Sequence, residues 1–201
     1  MKLYYSPGAC SMASHIVLNE IGRPFTIERV DTTSKRTETG KDFLAINPKG
    51  KVPALAIDGE ILTEGPAILQ FVVDAAGAET LAPKSGTLAR ARVNEILTYI
   101  NSELHPAFGP LFNPAADEAT KAAARRTVAS RLGWLEARLA DGRTYLTGAN
   151  FTIADAYAFV VTNWANFTGI ALDAWPKLRD YMARVAARPA TQATMQAEGL
   201  I

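Results

Sequence analysis

Cys10 is the only cysteine of the chain. It stands where a short β-rich run, Lys2 to Tyr5, has stopped at Ser6-Pro7-Gly8 and a helical pattern begins. A helix N-terminus carries unsatisfied N–H groups and about half a positive charge. A thiolate placed there is stabilised, and so is a bound anion. Cys10 is therefore a candidate reactive thiol, or a neighbour to a reactive thiol on a ligand. The plainer alternative is a small cysteine packed in the core. The run Cys10-Ser11-Met12-Ala13 lacks the second thiol of a Cys-x-x-Cys site, so any disulfide exchange must take its partner from another molecule. The chain has two histidines, His15 and His105. His15 lies five residues beyond Cys10, roughly 140° round the helix at 100° per residue, and reads as structural. With one cysteine and two histidines no zinc-type cluster can be built, so no metal is expected. Gly50-Lys51 lacks the upstream glycine of a phosphate loop, and there is no Gly-x-Ser-x-Gly elbow.

The elements that must position these groups fall into two halves. Up to about residue 78 strand and helix signals mix. Lys2 to Tyr5 reads as a strand. Ala13, Ile16, Val17 and Ile21 fall at helical spacing until Gly22 stops them. Phe25 to Val30 reads as a second strand, so a parallel strand–helix–strand unit is expected. "DTTSKRTETGK" is polar and reads as a loop, and "FLAINPKGK" as a brief helix ended by Asn47-Pro48. Ala54 to Ile57 and Glu60 to Leu62 form a hairpin across Asp58-Gly59, a pair suited to positive φ. Pro66 then opens another helix. The order β-α-β, connection, β-β-α is that of a thioredoxin-like domain. From residue 87 the pattern is helical only. Val93, Ile96, Leu97, Ile100 and Leu104 make one stripe, and Val128, Leu132, Leu135 and Leu139 another. "NFTIADAYAFVVTNWANF" is apolar nearly all round, with a capping-box start at Thr152 and Asp155. Trp175 to Ala187 gives one more helix, with Pro189 soon after it. The expected organisation is a thioredoxin-like α/β domain over residues 1–78 and an all-helical bundle over 87–201.

Composition narrows the function. In 201 residues, 21 Lys and Arg against 20 Asp and Glu give a net charge of +1, which argues against a nucleic-acid binder. No apolar run approaches the ~18 residues of a spanning helix, so no membrane partner is expected. Lys2 is not followed by a signal-peptide apolar region, and a lone cysteine needs no oxidising compartment. A cytoplasmic location is expected.

The segments "YSPGACSMASHI", "NPKGKVPAL", "LTEGPAI", "SELH" and "FTIADAYAF", in this order, resemble a bacterial glutathione transferase of the beta class, and the resemblance runs on to "AEGL" at 197–200. It implies a homodimer that activates the thiol of glutathione for attack on small hydrophobic electrophiles, with glutathione as co-substrate and no further cofactor. Val52-Pro53 matches the family's cis-proline, whose preceding backbone N–H and C=O pair with the cysteinyl part of glutathione. Glu64 and Gly65, ahead of Pro66, match the site of the γ-glutamyl end. There Glu64 meets the ammonium and the backbone N–H groups the carboxylate; many other classes carry a serine where this chain has Gly65. Lys35 is implied at the glycyl end, with Arg36 beside it as a rival. His105 is implied to face the sulfur, alongside Cys10 and the Ser11 N–H. Ser102 and Glu103 are implied to help bind glutathione, partly from the opposite subunit, and Thr98 stands where another family ligand is often Asn. Phe108, Phe112, Trp164 and Phe167 are candidates for the electrophile pocket. Tyr5 is a lesser rival as thiol activator, since other classes use a tyrosine. Two other functions fit the same residues: a glutathione-dependent disulfide reductase acting through Cys10, and a non-catalytic dimer that binds glutathione or hydrophobic ligands.

Overall fold

The computed structural model describes residues 1–201. The chain divides into two compact units, one made of 1–82 with 187–201, the other of 83–186. No helix is long and apolar enough to cross a membrane.

In the first unit β1 (Lys2–Tyr5) leads into α1 (Ser11–Ile21), which Gly22 ends in the left-handed conformation at φ 71°. β2 (Thr26–Asp31) returns parallel to β1. β3 (Arg36–Thr37) pairs antiparallel with the end of β2, Val30 opposite Thr37. This two-residue strand lies inside the segment that reads as a loop. It is too short and too polar to show an alternating pattern, and the return of the chain beside β2 creates it. After α2 (Phe43–Ile46) come β4 (Ala54–Ile57) and β5 (Glu60–Thr63), joined through Asp58 and Gly59 at φ 49° and 84°. That is the hairpin the dipeptide predicts. The five strands lie in the order β3-β2-β1-β4-β5, with β4 antiparallel to β1. α3 (Gly65–Ala76) packs on α1. Glu28, buried on β2, accepts from Lys2 at 2.7 Å and from Thr39; burial alone would raise its carboxyl, but these hydrogen bonds hold it down at about 2.

In the second unit α4 (Leu88–Tyr99) runs into a π-helical turn, Ile100–Leu104, in which the His105 N–H reaches back five residues to the Ile100 carbonyl. Two short helices follow, α5 (His105–Ala107) and α6 (Gly109–Phe112), then the long α7 (Glu118–Arg138). α8 (Ile153–Phe167) is the central buried helix and packs on α4 and on α9 (Pro176–Ala186). Its capping box forms as the sequence implies: Asp155, fully buried, accepts from the Thr152 N–H at 2.8 Å and the Leu146 N–H at 2.9 Å.

One boundary differs from the sequence reading. Pro189 starts a helix rather than ending one, because a proline costs nothing at the first helical position. This α10 (Pro189–Ala197) packs on α1, so residues 187–201 belong to the first unit and not to the helical one. The Arg188–Glu20 ion pair at 2.7 Å and the hydrogen bond from Asn19 to Thr194 at 2.9 Å join the two helices. Such polar ties leave little apolar periodicity to read.

Candidate functional site

In the first unit the candidate residues gather around the loop from Asn47 to Pro53. Asn47, 2 % exposed, donates to the Lys51 carbonyl at 2.7 Å and accepts the Lys49 N–H at 3.2 Å, which fixes the loop's shape. The Val52 side chain sits in a cluster with Tyr4, Val30, Phe43 and Ala54, and the Val52–Pro53 peptide bond is cis. Three sequence candidates converge on this loop. The Cys10 thiol donates to the Val52 carbonyl at 3.2 Å. Lys35 Nζ donates to the Gly50 carbonyl at 2.9 Å. A Cβ built on Gly65 would lie 3.9 Å from Pro53 Cγ, an ordinary contact, so space alone does not require glycine there. Gly50 is different. It adopts φ 62°, and a Cβ would meet Leu44 at 3.0 Å and the Lys35 stem at 3.4 Å. Arg36, the rival to Lys35, turns to the Gly40 carbonyl instead.

Glu64 caps α3 with φ 70° and ψ 113°, a conformation that costs a non-glycine residue about 1–3 kcal/mol and persists only where surroundings enforce it. Its exposed carboxylate is paired with Lys49 at 2.6 Å, and Lys49 also reaches Thr63. A ligand ammonium would share or displace that lysine. Lys49 lies inside the quoted "NPKGK" segment, but no role could be read for it there.

At Cys10 burial and the helix terminus oppose each other. The backbone N–H groups of Cys10 and Ser11 do lower its pKa, but burial outweighs them and pushes the thiol up to about 11. The raised value favours the neutral thiol, the form that donates to Val52. Ser11, fully buried, ties the turn by accepting the Ser6 N–H at 3.1 Å. Tyr5 is buried in the strand, and burial raises its phenol as well. His15, 2 % exposed, packs against Tyr5 and Phe25, with Nδ1 2.9 Å from Glu198 Oε1. The other oxygen of Glu198 accepts the Gly8 N–H at 2.9 Å. One buried carboxylate near the end of α10 therefore holds both α1 and the turn before Cys10. Glu198 lies in the "AEGL" segment; an acidic residue beside a glycine gives no sign of burial.

The second unit holds the other candidates. His105 follows the π-helical turn, a feature often found at functional positions. Its ring meets Trp164 edge-on at 4.7 Å, and Trp164 stacks edge-on with Phe108 at 5.8 Å and Phe112 at 5.5 Å. These four rings form one cluster. Phe108 is fully buried, while Phe112 stays half exposed. Phe167 joins none of those ring pairs and is 61 % exposed at the end of α8. Thr98 and Ser102 share an exposed face, with the Ser102 hydroxyl donating to the Thr98 carbonyl at 2.8 Å. Glu103 pairs with Arg131 at 2.8 Å. Nowhere do three His, Cys, Asp or Glu side chains gather as a metal site would need.

The family model described as the glutathione S-transferase N-terminal domain matches residues 8–75, and that of the C-terminal domain matches 99–189. The chain is 43 % identical to glutathione S-transferase GstA of Escherichia coli O157:H7 over the full length of both. A sphingomonad glutathione S-transferase solved in complex with glutathione is 47 % identical, with a TM-score of 0.95 over the whole of both chains. A beta-class glutathione S-transferase from Sphingomonas chungbukensis is 46 % identical, with a TM-score of 0.96 over the same full extent. Matches to both halves, in order and at full length, show that the chain belongs to the glutathione S-transferase family, in its bacterial beta class.

Proposed function

We propose that this protein transfers glutathione to small hydrophobic electrophiles. The observation that carries the reading is the convergence of Cys10, Lys35 and Gly65 on the Gly50–Pro53 loop. An extended tripeptide can lie along that loop. Val52 offers its backbone to the cysteinyl part, Lys35 its ammonium to the glycyl carboxylate, and Glu64 with the α3 N-terminus receives the γ-glutamyl end. His105 acts on the thiol as proton acceptor or hydrogen-bond donor. Phe108, Phe112 and Trp164 supply an apolar wall for the co-substrate, which needs little more than to be held close. Phe167 is left out of that wall. The reaction forms a carbon–sulfur bond, expels the electrophile's leaving group and releases the thiol proton. Purified protein should turn over a generic aryl halide with glutathione, and faster than it reduces a glutathionylated disulfide. The reverse order would favour the reductase, and glutathione binding without either turnover a binding protein.

The active form is a homodimer in which Ser102 and Glu103 serve the partner's site. Both are exposed on the π-helical turn, and Glu103 is oriented by Arg131. Sedimentation at micromolar concentration should give a single species of twice the 21.6 kDa chain mass; a monomer alone would rule the dimer out.

A further inference from the structure

His105 Nδ1 lies 2.8 Å from the Tyr157 hydroxyl, and that hydroxyl donates to Asn101 Oδ1 at 3.1 Å. A phenol has one proton. Once it is given to Asn101, Tyr157 has only lone pairs to offer, so the contact at Nδ1 requires the imidazole to be the donor. A neutral imidazole carries a single N–H. With that proton on Nδ1, Nε2 holds a lone pair. Three features keep the chain in register. The π-helical turn carries Asn101 and leads into His105. Tyr157 is 1 % exposed on the central helix. The edge-on contact with Trp164 restrains the imidazole ring.

We propose that Tyr157 and Asn101 are positioning residues that hold His105 in its Nδ1–H tautomer, so that Nε2 takes the proton of the glutathione thiol rather than donating one to a thiolate. The proposal rests on the acid–base role given to His105 above and specifies its direction. It also supplies a place for the charge. When Nε2 gains the proton, the imidazolium keeps its Nδ1–H bond to an oxygen whose own proton points away, towards Asn101. That arrangement stabilises the cation as an outer partner stabilises other functional histidines. Were the Asn101 amide turned round, its NH2 would donate to Tyr157. Tyr157 would then donate to Nδ1, and Nε2–H would face outwards as a donor. The two arrangements put the proton on opposite nitrogens.

The chain has only two histidines, so the imidazole nitrogens of 15N-labelled protein can be assigned with His105→Ala. Long-range 1H–15N spectra, taken above the His105 titration, should show a protonated-type Nδ1 and a bare-type Nε2. Tyr157→Phe should scramble that pattern and lower kcat about 10-fold, with the acid limb of the pH–rate profile displaced. Asn101→Asp should preserve the pattern, because a carboxylate can only accept from the phenol. A wild-type proton on Nε2 would overturn the proposal, as would an Nδ1–H pattern that survives Tyr157→Phe. The spectra report the tautomer whether or not the protein conjugates glutathione. Failure of the acid–base reading would show separately, as an unchanged kcat in His105→Ala.

Discussion

His105→Ala should lower the kcat for aryl-halide conjugation about 100-fold while the affinity for glutathione changes little. One positioned acid or base contributes roughly 10²- to 10⁴-fold. The lower part of that range applies here, because a thiol near its ordinary pKa already supplies a few per cent of thiolate at neutral pH. Glutathione affinity should hold, since the residues proposed to grip its backbone and carboxylates lie on the Gly50–Pro53 loop and at the head of α3. The substitution also removes a ring that touches Trp164 at 4.7 Å, so the thermal midpoint should be measured on the same sample. An unchanged kcat in a folded variant would take His105 out of the mechanism.

Cys10 should react with iodoacetamide at pH 7 about 20-fold more slowly than an exposed cysteine, and its rate should keep rising past pH 9. A thiol at about 11 instead of the ordinary 8.5 has some 300-fold less thiolate at pH 7. The more basic thiolate is intrinsically a better nucleophile, which returns about 13-fold at a Brønsted slope near 0.45. The sign follows from the cause. Burial favours the neutral thiol, so the reactive form appears only as pH climbs towards the raised value. A rate above that of a free peptide, levelling off near pH 7, would mean that the helix terminus outweighs burial. The prediction bears on the reductase alternative as well, because that reaction needs the Cys10 thiolate as nucleophile. A conjugating enzyme needs only the ligand's thiolate, and Cys10→Ala should keep part of its activity.

Much of the first unit was legible because its signals are local. A dipeptide sets the β4–β5 turn, and a glycine ends α1. The family motifs mark Cys10, Val52, Glu64 and His105. What escaped depends on pairings between residues far apart in the chain. β3 exists only because β2 is beside it. α10 was missed because its contacts with α1 run through Arg188, Glu20, Asn19 and Thr194, polar residues that leave no apolar stripe. Tyr157 and Glu198 lay inside quoted motifs. Their partners, 52 and 183 residues away, are not implied by spacing. The Cys10 thiol follows the same division: the helix terminus is visible in sequence, while the desolvation that raises the thiol is not.

The return of α10 has a consequence for synthesis on the ribosome. The strands, α1 and α3 of the first unit emerge early, but the carboxylate that holds Gly8 and His15 is Glu198. At about 5–20 residues per second, the stretch between Ala82 and Glu198 takes on the order of ten seconds to make. During that interval the face of α1 that α10 will cover is open to water, and the turn ahead of Cys10 has only its local tie to Ser11. The first unit of the nascent chain therefore begins before the second and is completed after it, and the turn before the thiol gains its last partner only once Glu198 has been made.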